Sequence, residues 1–285
     1  MDFTIIGPGK LGSTLIAELK RKKMLSIVVG GKPPEAEKPK NGFRWYKSLS
    51  ELSSLSAIVM ITVGDSDIQT VVDDLINNIG NNLDGICVVH TSGAVPLAVL
   101  DPLRKFNCMT AVLHPYQTFY RPDIKSLDNI NWTIETESDP SYFFDIVRVL
   151  KGNPVLLGDN FDKPLYHVSA VSVSNFVNTS LSLAGDLADL NGLNKKEFFI
   201  PIINRTVHNY FEEAGAGSSA LTGPFARADL KTINLHISAL KKEKELLSVY
   251  CLMGLATAKM ARKNKLIRDE EYNSIIETIK EFLDI

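Results

Sequence analysis

Three groups of residues in this chain have types and spacings that could do chemistry. In SSALTGPFARADLKTINLH, residues 218–236, Thr222, Arg227 and Asp229 cluster around a Gly223-Pro224 turn. A guanidinium can hold a carboxylate through two parallel hydrogen bonds, which makes Arg227 a candidate anchor for an anionic substrate group, with Thr222 and Asp229 beside it. The second group is in YHVSAVSVSNFVN, where His167, Ser174 and Asn178 share one helical stripe and Asn175 lies next to it. His167 is the candidate proton donor there, because an ordinary imidazole titrates near neutrality. The third group closes apolar runs. Gly64, Asp65 and Ser66 follow AIVMITV, which ends in Val63; His90, Thr91, Ser92 and Gly93 follow GICVV; and His114 leads HPYQT after TAVL. Glycines at such positions let a flat ligand lie against the backbone, while Ser92 and His114 could face it. A plainer reading has Asp65 or Ser66 and Asp229 simply starting helices, and His114 hydrogen-bonded to its neighbours.

These positions matter because of the elements that carry them. FTII, SIVV, AIVMITV, GICVVH, TAVLH, WTIE and PVLLG read as strands alternating with amphipathic helices, the rhythm of a mostly parallel, doubly wound α/β sheet. In such sheets ligands sit beyond the carboxyl ends of the strands, where the third group lies. After Gly158 only helical patterns follow, over 163–191, 195–214, 224–241, 245–265 and 270–283. The expected organisation is an α/β domain over 1–158 and an all-helical domain over 159–285. Pro224 predicts the start of the third of these helices, with Leu230, Ile233, Ile237 and Leu240 as its buried seam. Asp162, Asn194 and Asp269 are expected to cap helices, and Gly192 to end one. The stretch GGKPPEAEKPKNG reads as an exposed loop.

At the N-terminus, FTIIGPGKLGSTL sets Gly7, Gly9 and Gly12 in a G-x-G-x-x-G spacing between a strand and a helix. That context suits a dinucleotide: one glycine for the tight turn, one for approach of the pyrophosphate, one for helix packing. Gly7, Pro8, Gly9, Lys10, Leu11 and Gly12 would then surround the pyrophosphate, and Val63, Gly64, Asp65 and Ser92 would line the rest of the cofactor. The acid expected near the end of the second strand, to hold a ribose 2′-hydroxyl, is missing. Gly30, Gly31 and Lys32 stand there instead, so the residues favour NADP over NAD, with Lys32 near the 2′-phosphate.

The whole chain sets outer bounds. With 285 residues, 45% hydrophobic, 22% charged and a net charge of −2, it has the composition of a globular protein with no footprint for nucleic acid. Cys87, Cys108 and Cys251 form no metal pattern, so no metal is expected and the three read as core residues of a reduced compartment. Nothing reads as a signal peptide or a membrane span, and a cytoplasmic location is expected. Small residues along 163–191 suit a close helix contact, which favours a homodimer through the helical domain.

Together IIGPGKLGSTL, HTSGAVPLAVL, LHPYQTF, LYHVSAVSVSNF and ALTGPFARAD resemble the Rossmann-like proteins whose C-terminal half is called domain of unknown function 2520. More distantly the layout is similar to the 6-phosphogluconate dehydrogenase-like superfamily, which includes pyrroline-5-carboxylate reductase and β-hydroxyacid dehydrogenases. The resemblance implies an N-terminal domain holding NAD(P), a helical domain that dimerises, and a small substrate in the cleft between them. The hydroxyacid dehydrogenases carry a catalytic lysine early in the first C-terminal helix; YHVSAVSVSN has none, and His167 falls near that place. The function expected is an NADP-dependent oxidoreductase acting on a small, anionic substrate. The alternative is an NADP-binding sensor without turnover.

Overall fold

The structure, a computed structural model, describes residues 1–32, 42–158, 161–213 and 220–283. The middle of the stretch read as an exposed loop, 33–41, lies outside the described residues, as do Ser218 and Ser219.

Among the described residues eight strands form one sheet: β1 (Phe3–Ile6), β2 (Leu25–Val29), β3 (Arg44–Tyr46), β4 (Ile58–Ile61), β5 (Cys87–His90), β6 (Met109–Pro115), β7 (Asn131–Thr136) and β8 (Asn153–Leu156). Their order is β3-β2-β1-β4-β5-β6-β7-β8, with every pair parallel except β6 and β7. The expected doubly wound, mostly parallel sheet is therefore present. β3 is the strand the sequence reading lacked, since RWY is too short and too polar to stand out as an apolar run.

Alternation along the strands fills both faces. Phe3, Ile5, Ile58, Met60, Cys87 and Val89 point into one buried cluster, with Leu15 and Leu19 of α1 (Lys10–Arg21) and Phe143, Ile146 and Val147 of α3 (Ser141–Val149). Ile6, Val59, Ile61 and Val88 point into the other, with Val72 and Leu75 of α2 (Ile68–Asn78) and Leu100 and Leu103 of the 3₁₀ segment Leu97–Phe106. Both faces being covered is why the central strands read as nearly unbroken apolar runs. Strand order reverses at β1, which hydrogen-bonds β2 on one side and β4 on the other. A crevice opens at such a reversal, beyond the strand ends.

Helices follow: α4 (Lys163–Leu190), α5 (Lys195–His208, continuing as a π turn over Asn209–Glu213), α6 (Leu230–Leu240), α7 (Lys244–Lys263) and α8 (Asp269–Ile279). The chain divides into two compact units, 1–177 and 178–285, so the first half of α4 groups with the sheet. The expected division was after residue 158. The second unit has its own core, in which Phe225, Ile233, Ile237, Leu247, Cys251, Ala258, Tyr272 and Ile275 are buried.

Most expected caps are in place. Asp162 accepts from the Leu165 N–H at 2.9 Å, Asn194 accepts from the Glu197 N–H at 3.3 Å, and Gly192 takes φ +65° after α4. Two expectations need correction. Asp269 lies inside α8, whose N-cap is Arg268. The helix expected from Pro224 begins instead at Leu230, because Phe225–Arg227 form a single 3₁₀ turn and Ala228, at φ +51°, breaks the helical path. The seam Leu230, Ile233, Ile237 and Leu240 is as expected, with the last three buried.

Candidate active site

The glycine turn fills the crevice at the strand reversal, and its three glycines meet three different demands. Gly7 takes φ +95°, and a Cβ there would lie 2.5 Å from Val63 Cγ1 and 2.8 Å from the Val63 nitrogen. A side chain at Gly12 would lie 2.2 Å from the Gly7 carbonyl oxygen, so the helix can pack on the strand only through glycine. A Cβ on Gly9 would meet nothing within 4 Å, which leaves this position open toward a ligand. Gly9 is the N-cap of α1, has no side-chain cap, and is followed by a first turn without an acid. The N–H groups of Lys10, Leu11 and Gly12 have no intrahelical acceptor, as in any first helical turn, and the helix dipole adds positive potential. Ser13 closes the turn by donating from Oγ to the Pro8 carbonyl at 2.9 Å. Thr62, at the end of β4, donates its hydroxyl to the Gly7 carbonyl at 2.6 Å and so fixes the turn from the neighbouring strand.

The end of β2 explains the missing acid in backbone terms. Gly30 and Gly31 take φ +99° and +63°, and a Cβ on Gly31 would lie 3.0 Å from Pro8 Cγ. Trp45 Nε1 donates to the Gly30 carbonyl at 2.8 Å and holds this bend against β3. The φ of Gly30 favours a residue without a side chain and a side chain at Gly31 would crowd Pro8, and no carboxylate stands at either position. Lys32, exposed, is the next residue. Across the crevice, half-buried Val63 and exposed Gly64 and Asp65 lead into α2 through a 3₁₀ turn.

A second, more polar cluster lies at the adjoining strand ends. His90 pairs with Val112, Val112 with Glu135, and His114 with Thr133, so His90, His114, Thr133 and Glu135 share one face of the sheet. The start of α4 covers them. Lys163, 9% exposed, donates from Nζ to Glu135 Oε2 at 2.8 Å and to the Val95 carbonyl, while Glu135 Oε1 accepts from the Leu97 N–H at 3.4 Å. Burial lowers the Lys163 pKa, against the pull of Glu135. His90 is fully buried; its Nδ1 accepts from the Ser92 N–H at 3.2 Å, and its Nε2 has no hydrogen-bond partner among the described residues. Burial, aided by the Lys163 charge, pushes His90 down to about 4. His114 is also pushed down to about 4, by burial first and then by His167 and Lys163. Both rings are neutral at neutral pH.

His114 is the centre of the cluster. Its Nδ1 lies 2.6 Å from the Tyr166 hydroxyl, which is also 3.1 Å from Thr133 Oγ1. Tyr166 packs among Phe161, Tyr116 and His114, and burial pushes its phenol up to about 12. The His167 ring meets His114 edge-on at 6.2 Å between centroids. Gly93 makes room for the imidazole, since a Cβ there would lie 2.7 Å from His114 Nε2. Ser92 Oγ accepts from the Ala94 and Val95 N–H groups and so caps this loop.

Ser92, His114 and His167 are thus brought to one corner of the first unit. Asn175 stands exposed two turns further along α4, where its Oδ1 accepts from Ser174. Thr222, Arg227 and Asp229 belong to the second unit. There Thr222 and Arg227 are exposed, and Asp229 caps α6, accepting from the Thr232 N–H at 3.1 Å and the Thr232 hydroxyl at 2.7 Å. These bonds, the hydroxyl foremost, hold its carboxyl below the usual range. Sequence reasoning missed Thr62, Thr133, Glu135, Lys163 and Tyr166; His90 it placed in the polar run after β5, without a role. Thr133 and Glu135 had a signal: in NWTIET they alternate with buried Trp132 and Ile134. Among the described residues no group of three or more His, Cys, Asp or Glu could hold a metal, and no helix is long and apolar enough to cross a membrane.

Residues 1–115 match the family described as Rossmann-like domain, and residues 130–257 match the family described as Domain of unknown function (DUF2520). No curated protein matches the chain. Among solved structures, a proposed NADP oxidoreductase from Bacteroides fragilis is 20% identical, with a TM-score of 0.73 over 90% of this chain and 98% of that one. A reductive aminase from Aspergillus terreus, in complex with NADPH and ethyl-5-oxohexanoate, is 12% identical, with a TM-score of 0.61 over 98% and 94%. Pyrroline carboxylate reductase from Plasmodium falciparum, with NADP bound, is 14% identical, with a TM-score of 0.54 over 96% and 98%. At these identities the likeness is one of fold.

Proposed function

We infer that this chain, which joins a Rossmann-like domain to a domain of unknown function 2520, is an NADP-dependent reductase of a small carbonyl or imine compound. The observation that carries the reading is the glycine turn: an uncapped helix N-terminus, with Gly9 open and Gly7 and Gly12 closed by backbone, set where the strand order reverses. The NADP or NADPH held by the Aspergillus terreus and Plasmodium falciparum proteins of like fold supports the same cofactor here.

Gly7, Pro8, Gly9, Lys10, Leu11 and Gly12 would hold the pyrophosphate, Lys32 the 2′-phosphate, and Val63, Gly64, Asp65 and Ser92 the remainder. When bound, the reduced cofactor supplies a hydride. The residues of the chain orient the acceptor and provide a proton, the latter from the side formed by Ser92, His114, His167 and Asn175. Arg227 is assigned to an anionic group of the substrate, with Thr222 and Asp229 supporting it. The assignment rests on its exposed guanidinium beside a turn fixed by Gly223 at φ +94°.

Homodimerisation is part of this reading. Phe176 on α4 and Phe198 and Ile202 on α5 are more than half exposed, and apolar rings on long helices suit burial against a second copy. Sedimentation is expected to give a dimer and Phe198→Glu a monomer; a monomeric parent protein overturns this part. Three buried, unbridged cysteines suit the cytoplasm.

The test of the reductase reading is NADPH oxidation, followed by loss of absorbance, against a panel of ketones, ketone–amine mixtures and cyclic imines. Oxidation that depends on one of these compounds supports the reading. NADPH binding without any oxidation returns the chain to the role of a sensor.

A further inference from the structure

Resting on the reductase reading, we propose that Tyr166 donates the proton in the reaction and that His114, hydrogen-bonded to its hydroxyl, restores that proton from solvent. The cluster is built for this. Tyr166 Oη sits within hydrogen-bond distance of two groups able to donate to it, His114 Nδ1 at 2.6 Å and Thr133 Oγ1 at 3.1 Å. The one hydroxyl hydrogen of Thr133 has a choice of the His114 carbonyl at 3.4 Å or the nearer Tyr166 Oη; when it and His114 Nδ1–H both point at Tyr166, the phenol's own hydrogen is directed at neither and is available to a ligand. A phenolate left at that oxygen would already hold two hydrogen bonds, which is how pre-organised donors stabilise developing charge.

His114 has the second property required. Its other nitrogen, Nε2, has no partner among the described residues, and the ring is only part-buried, lying over Gly93 where no side chain intervenes. An imidazole bonded through one nitrogen and open at the other can pass a proton by exchanging tautomers, without becoming charged. The buried Lys163 ammonium disfavours the imidazolium, so the exchange runs between neutral forms. His167, by contrast, meets this pair only edge-on through its ring.

The step balances. With a bound reduced nicotinamide supplying hydride to the substrate carbon, the π electrons of C=N or C=O would move to the heteroatom, and that atom would take the hydrogen of Tyr166 Oη. His114 Nδ1–H then reprotonates the phenolate while Nε2 takes a proton from water, and exchange with solvent returns the ring to its Nδ1–H tautomer before the next turnover. One NADPH and one proton are consumed for each C=N or C=O reduced.

The test compares the full-length parent with Tyr166→Phe, which keeps the ring contacts to Tyr116 and Phe161 and removes only the hydroxyl. NADPH affinity, read from nicotinamide fluorescence, is expected to change by less than twofold. The single-turnover rate of NADPH oxidation, with whichever compound of the panel is reduced, is expected to fall at least 100-fold, and the solvent deuterium isotope effect to disappear. A Tyr166→Phe rate within threefold of the parent, with the isotope effect kept, overturns the proposal. Nitrogen-15 NMR of the histidine side chains gives a readout independent of turnover. The parent His114 is expected as the neutral Nδ1–H tautomer and to leave that form in Tyr166→Phe. A parent His114 in the Nε2–H form, with Tyr166 donating to Nδ1, also overturns the proposal. Absence of oxidation with every compound alongside the expected tautomer locates the failure in the reductase reading, and the donor role falls with it.

Discussion

At the scale of single residues, the glycine turn separates two effects that one motif usually merges. A methyl at Gly12 would run into the Gly7 carbonyl, whereas a methyl at Gly9 would meet no protein atom. Gly12→Ala is therefore expected to destabilise the fold by ~1–3 kcal/mol, as overpacking does. Gly9→Ala is expected to leave the urea midpoint unchanged and weaken NADPH more than tenfold. Equal urea midpoints for the two variants would contradict this assignment. The lowered pKa values of two histidines make a further prediction. His90 and His114 titrate near 4 in the fold but near 6.5 when unfolded, so the unfolded chain takes up protons first as pH falls. Stability is then constant above about pH 7 and declines from pH 6.5 toward 4, with a slope of up to ~1.4 kcal/mol per pH unit for each histidine. Urea unfolding at successive pH values checks this, and His90→Gln is expected to flatten the slope; an unchanged slope would refute it. The turn was legible in the sequence because spacing alone defines it. The Tyr166–His114 bond was not, since it joins residues 52 apart through the pairing of β6 with the start of α4.

At the scale of elements, what positions the site is the docking of the first turn of α4 onto the sheet. Lys163 ties that turn to Glu135 on β7 and to the loop after β5, which sets Tyr166 one turn later over His114. Helix and strand types were readable from periodicity, and the caps at Asp162 and Asn194 from residue type. The lysine was not, because a polar residue at a helix start reads as solvated until a carboxylate on a distant strand is seen beside it. The turn before α6 failed differently. Proline after glycine suits a helix start, but the left-handed Ala228 postpones α6 to Leu230 and makes Asp229 its cap. Asp229→Ala should cost ~1 kcal/mol of stability, the usual value of an N-cap oxygen. Thermal or urea unfolding measures it, and Asp229→Asn, which keeps a capping oxygen, should recover most of the loss. A variant as stable as the parent would show that the cap contributes nothing.

At the scale of the whole molecule, composition and the succession of strands then helices revealed a doubly wound sheet followed by an all-helical region, and both are present. The edge strand β3 escaped because three residues carry no period, and its place beside β2 is known only from their register. The sheet's reversal at β1 puts the glycine turn where a dinucleotide would bind, and the left-handed bend at Gly30 and Gly31 removes the acid that would select a 2′-hydroxyl. NADP binding is therefore the central claim, and parallel titration of the full chain with NADPH and NADH, read by calorimetry, tests it most directly. One NADPH per chain is expected, bound at least tenfold more tightly than NADH, with Lys32→Ala narrowing the gap; equal affinities, or no binding of either, would contradict NADP binding at this turn.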